Sequence, residues 1–104
     1  MDARVLKIVT ELKENISGRY KIHDFRIFGS TARDQHDRES DIDLFVILNH
    51  VDRQIEEDLF DLAYEIELKY DCLIDLIVFG KDALNGRLSY APVYVRAMEE
   101  GVLI

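Results

Sequence analysis

Two short stretches, Asp41 to Leu48 (DIDLFVIL) and Leu73 to Phe79 (LIDLIVF), are apolar at every position except for their aspartates. Runs of this length read as strands, and a strand apolar on both faces is normally buried on both faces. The chain must therefore supply helices to cover a sheet from two sides. It does so at three places. Val5, Ile8, Val9, Leu12 and Ile16 recur at helical spacing behind a capping Asp2, and Ser17-Gly18 ends that helix. Asp52 opens a long helix with Ile55, Leu59, Leu62, Ala63 and Ile66 on one face and Glu56, Glu57, Asp61, Glu65 and Lys69 outside. Asp82 to Leu88 is a short helical stretch, and another helix starts near Pro92, where proline suits the first turn, and stops at Gly101. Phe25 to Phe28 reads as a further strand, Ser30 to Gln35 as a short helix, Asp34 to Ser40 as a polar loop, and Val102 to Ile104 as a small edge strand. Strands and helices alternate, so the expected fold class is α/β: a small mixed sheet with flanking helices.

The aspartates carry the chemistry. Alternate residues of a strand share a face, so Asp41 and Asp43 lie with Phe45 and Ile47, and Asp75 lies with Leu73, Ile77 and Phe79. Burying a carboxylate is costly unless it is paired or binds a cation. Residues two apart on a strand are about 6.5–7 Å apart. Carboxylates converging from there can flank two hard cations about 3.5–4 Å apart, the arrangement of two-metal phosphoryl transfer. Oxygen ligands without His or Cys favour Mg²⁺ or Mn²⁺ over zinc. Upstream, Gly29-Ser30 stands between a strand and the start of a helix, where a glycine admits a phosphate to the backbone and the amides and hydroxyl can hold an anion.

Taken together, FGSTARDQHDRESDIDLFV resembles the signature of the DNA polymerase β-type nucleotidyltransferase superfamily: Gly-Ser, ten residues (Thr31 to Ser40), then Asp-x-Asp in an apolar strand. The resemblance is greatest to its minimal (MNT) branch and spans about Tyr20 to Phe79. It implies a polymerase β palm-like nucleotidyltransferase fold and transfer of a nucleoside monophosphate, AMP from ATP or another NTP, to a hydroxyl. It implies that Asp41, Asp43 and Asp75 are the catalytic, metal-holding residues, with two Mg²⁺ ions expected and Mn²⁺ as the substitute. Gly29, Ser30 and Arg33 are the implied nucleotide-binding residues. In one departure, Asp34 stands where family members often have glycine.

Such minimal proteins resemble the antitoxin half of HEPN/MNT toxin–antitoxin pairs. The implied partner is a HEPN toxin whose tyrosine accepts AMP, in a homo- or hetero-oligomer. Two alternatives stand beside this: an antitoxin that neutralises its partner by binding alone, and an adenylyltransferase for a small molecule of the aminoglycoside type. Blander readings also exist for single residues. Asp41 and Asp43 can be a solvated strand start, Asp75 a residue on an exposed sheet face, and Arg33 a surface arginine. His23, His36 and His50 read as surface residues, Cys72 as packing, and Tyr90 and Tyr94 as core or interface.

Composition narrows the classes. At 104 residues the expectation is one domain over 1–104, and 48% hydrophobic content is enough for a modest core. Thirteen basic against 21 acidic residues give a net charge of -8, so a nucleic-acid binder's basic stripe is missing and no direct nucleic-acid partner is expected. No run approaches membrane-spanning length and the N-terminus lacks a signal peptide's apolar region. With Cys72 the single cysteine, no intrachain disulfide forms. The expected location is cytoplasmic.

Overall fold

The computed structural model describes residues 2–29 and 41–104. Helix α1 spans Ala3–Ser17 and strand β1 spans Ile22–Ile27; β2 is Ile42–Leu48, α2 is Arg53–Tyr70 and β3 is Ile74–Gly80. Two 3-10 turns, Asp82–Leu84 and Arg87–Tyr90, lead into α3 (Pro92–Glu100) and β4 (Val102–Leu103). The predicted short helix over Ser30 to Gln35 and the loop to Ser40 lie outside the described residues.

The helix ends form where the sequence places them. The Asp2 carboxylate accepts the Arg4 N–H at 2.7 Å and the Asp52 carboxylate accepts the Ile55 N–H at 2.8 Å, each satisfying a donor that the first helical turn cannot. Pro92 occupies the opening turn of α3. At the far end of α2 the chain turns through Asp71 in the left-handed region, and the Cys72 N–H reaches back to the Glu67 carbonyl at 3.2 Å.

The sheet order is β3-β2-β1-β4. Strand β2 is antiparallel to β1 and parallel to β3, so the sheet is mixed. The β2–α2–β3 crossover accounts for the parallel pair. Helices α1 and α2 cover one face, where Val5, Ile8, Leu12, Leu59 and Ile66 pack on Phe25, Ile27, Leu44, Val46 and Leu76. Helix α3 covers the other with a smaller cluster in which Phe28, Phe45, Ile47 and Ala97 are buried against Phe79, Val93, Tyr94 and Met98. Tyr94 thus belongs to the core, whereas Tyr90 is exposed. Phe45 sits at the centre of this second cluster, edge-on to Phe79 at 5.4 Å and tilted against Tyr94 at 6.0 Å. Phe45→Ala is expected to destabilise the fold by about 3–5 kcal/mol, because the ring's contacts and volume are lost together. Urea unfolding measures it.

Every strand differs from the sequence reading by at least one residue at an end, and pairing with a neighbour explains two of the differences. Strand β1 starts at Ile22 rather than Phe25, because the ladder with β2 continues through Asp24↔Ile47 and, past an irregularity, Ile22↔Leu48. Gly80 belongs to β3 instead of ending it, paired with Leu48. A third difference bears on burial. Strand β3 is an edge strand, and Asp75 is exposed rather than sealed between layers.

Candidate active site

The end of β1 and the start of β2 meet because the strands are antiparallel. The Phe28 N–H donates to the Asp43 carbonyl at 3.1 Å, pinning the residue before Gly29 to β2. Gly29 then adopts φ +68°, a conformation that costs an L-residue about 1–2 kcal/mol. The turn also brings the backbone against the Asp43 side chain: a Cβ built on Gly29 would lie 2.5 Å from Asp43 Oδ2 and 3.2 Å from its Cγ. Glycine is required here on two independent counts, conformation and space.

On the other side of β2, the parallel register pairs Asp43 with Asp75. Register partners in adjacent strands point to the same face, with strands about 4.8 Å apart. The two aspartates are therefore neighbours on the face covered further along by Phe45, Ile77 and α3. Asp41 precedes the strand on the same side by alternation and is exposed; Asp43 is half-buried. The Ile42 N–H donates to the Leu73 carbonyl at 2.8 Å, which holds the two strand starts together. Among the predicted site residues, the fold thus brings Gly29, Asp43 and Asp75 into one neighbourhood, with Asp41 adjoining. Ser30 and Arg33 lie outside the described residues.

Desolvation is a weaker argument for a cation than the sequence suggested, since Asp41 and Asp75 are exposed. Among the described residues, no three His, Cys, Asp or Glu side chains are gathered closely enough to hold a metal ion. What does fit a hard cation is the donor chemistry. Two carboxylates sit side by side in register, with a third two residues from one of them. All the donors are oxygens, the ligand type that hard divalent cations take.

The opposite ends of the same strands carry a pair that the sequence reading missed, because 32 residues separate its members. His50 Nδ1 lies 2.9 Å from Asp82 Oδ2 on the surface. The bond with Asp82 raises the His50 pKa above its ordinary 6.5, and the same bond lowers that of Asp82 below its ordinary 3.8. A raised histidine stabilises the fold fully below its unfolded value and loses that contribution as pH rises through the folded value. A lowered carboxyl does so above its unfolded value and loses it as pH falls. The pair therefore acts between about pH 3.8 and 6.5. NMR titration should show His50 protonating above its ordinary 6.5, and Asp82→Asn should lower that value. Cys72 packs against the main cluster, and burial pushes its thiol pKa up, consistent with a packing role.

The nucleotidyltransferase domain family matches residues 6–104. A Methanocaldococcus jannaschii protein named as a candidate protein adenylyltransferase is 32% identical over 80 residues, covering 74% of this chain and 81% of its own. Among solved structures, a candidate minimal nucleotidyltransferase superposes with a TM-score of 0.64 at 22% identity, covering 100% of this chain and 97% of that one. The Shewanella oneidensis complex of a tri-AMPylated HEPN toxin with its MNT antitoxin gives a TM-score of 0.56 at 20% identity, over 96% of this chain and 67% of that one. Nucleotidyltransferases of this fold generally use divalent metals. Among the described residues no helix is long and apolar enough to cross a membrane. The chain belongs to the nucleotidyltransferase domain family, and its fold is that of the minimal nucleotidyltransferases.

Proposed function

We propose that this nucleotidyltransferase moves AMP from ATP to a hydroxyl of a partner protein, with tyrosine as the acceptor, and that it acts as the antitoxin of a HEPN toxin in the cytoplasm, where ATP is supplied. The observation that carries the reading is the left-handed Gly29 backbone lying against the Asp43 carboxylate, with Asp75 as that aspartate's register partner. The related protein adenylyltransferase name and the AMPylated HEPN complex support the choice of nucleotide and acceptor.

In this reading Asp41, Asp43 and Asp75 are the residues that would hold Mg²⁺. When bound, the ions offset the charge of the polyphosphate and of the leaving group. The Gly29 turn lets the triphosphate approach the backbone, and Ser30 and Arg33 hold its β- and γ-phosphates. Asp75, exposed at the sheet edge, faces the acceptor and takes its proton. The acceptor oxygen bonds to the α-phosphorus as the bond from that phosphorus to the α–β bridging oxygen breaks, and pyrophosphate leaves. A free tyrosine hydroxyl ionises near pH 10, so a carboxylate beside it to take the proton favours attack at neutral pH.

The test is incubation with α-labelled ATP, Mg²⁺ and the protein encoded beside this one. Label should move to a tyrosine of that protein, and not with Asp43→Ala. Absence of transfer by the wild type, or equal transfer by the variant, defeats the proposal. Inhibition of the partner that survives Asp41→Asn and Asp43→Asn in full would assign neutralisation to binding alone.

A further inference from the structure

The outward face of α2 is built unlike an ordinary solvated helix surface. Phe60, Tyr64 and Leu68 are 44%, 59% and 67% exposed. Their spacing of four aligns them in one row, about 12 Å long at 1.5 Å per residue. Single exposed apolar residues are common, but three in register on one helix form a ridge. Glu57, Asp61 and Glu65, all exposed and also spaced by four, form a second row along one flank of that ridge; Glu56 stands in line with the ridge, one turn before Phe60. Of the cations of this helix, Arg53 pairs with Glu57 of that row at 3.2 Å, and Lys69 turns away to Glu11 of α1, so the row's uncompensated charge lies at Asp61 and Glu65.

We propose that this face docks a basic amphipathic helix of a partner protein. The apolar ridge sets the geometry, since ridges at spacing four seat in the grooves of a facing helix. The acidic row sets the sign, because Lys or Arg flanking the partner's apolar stripe would meet Asp61 and Glu65 first, with Glu57 shared with Arg53. A second copy of this chain is the poorer occupant, for it would bring acidic rows together on two molecules of net charge -8 each. Helix α2 lies in the layer opposite the face that carries Asp43 and Asp75, so a partner held here leaves those carboxylates open. The assignment gives the chemistry of the partner and rests on the proposed function only for that partner being a protein.

The test uses an 18-residue fluorescein-labelled helical peptide with leucine at every fourth position flanked by Lys and Arg, and a control with Glu in place of the basic residues. Anisotropy should show binding of the basic peptide alone, weakening as salt is raised. Phe60→Ser with Leu68→Ser should weaken it at least tenfold, as should Glu57→Lys with Asp61→Lys and Glu65→Lys. Circular dichroism checks that these surface variants stay folded. Asp43→Asn should bind the peptide as the wild type does, so loss of AMP transfer and loss of docking are read separately. No binding, equal binding of both peptides, or equal binding by the folded variants overturns the proposal. So does a dimer in sedimentation that Phe60→Ser abolishes, which would make a second copy the occupant.

Discussion

Replacing Asp43 by asparagine is expected to lower nucleotidyl transfer about a thousandfold while the chain stays folded. The size follows from what the charge does. Stabilising a developing polyphosphate charge through a cation is worth several kcal/mol, and each 1.36 kcal/mol is tenfold in rate. Asparagine keeps the shape of the side chain next to Gly29, where a Cβ would come within 2.5 Å of Asp43 Oδ2, so packing at the turn is preserved. Binding of divalent ions offers a readout free of turnover. Anything that binds only the folded state raises the melting temperature. Mg²⁺ or Mn²⁺ should therefore raise that of the wild type and leave that of Asp43→Asn nearly still. Because Asp75 is the register partner, Asp75→Asn should show the same loss of ion response. A variant that keeps full activity, or that responds to ions as the wild type does, would remove Asp43 from the chemistry.

Gly29→Ala should also be severe, for steric reasons and not electrostatic ones. The methyl group meets a backbone at φ +68°, costing about 1–2 kcal/mol, and it lands on the Asp43 carboxylate. One of the two must move. The Phe28 N–H bond to the Asp43 carbonyl holds the strands together, so the displacement falls on the turn and on the carboxylate. Activity is expected to fall about a hundredfold, since misplacing a reacting group by about 1 Å has that effect. Global stability should fall by only about 1–2 kcal/mol. Paired urea melts and transfer rates separate the two effects. A loss of rate no greater than the loss of folded protein would show that the glycine serves the fold alone.

The sequence made some features legible and concealed others, for identifiable reasons. The stripes Val5 to Ile16 and Leu59 to Ile66, and the caps Asp2 and Asp52, are local patterns, and they form as read. The antiparallel pairing of β1 and β2 suits the motif, because a Gly-Ser at the end of one strand and an Asp-x-Asp at the start of its neighbour meet when the strands run opposite ways. Strand order was not readable. That β3 lies at the edge, and that Asp75 is therefore exposed, depends on where the β2–α2–β3 crossover puts it. The early start of β1 was missed because Ile22, His23 and Asp24 lack the apolar signature, and their pairing is decided by β2. The ridge of Phe60, Tyr64 and Leu68 was overlooked beside the stronger stripe that faces the core. The His50–Asp82 pair joins residues far apart in sequence, which no local pattern reveals.

The parallel pairing of β2 with β3 has a consequence for timing. Asp43 and Asp75 become neighbours only once all of α2 has been laid down between them and β3 has zipped onto β2. A chain still emerging from the ribosome thus carries its aspartates as strangers. Whatever they grip together, they acquire in a single late event of synthesis, and a chain cut short before β3 never acquires it.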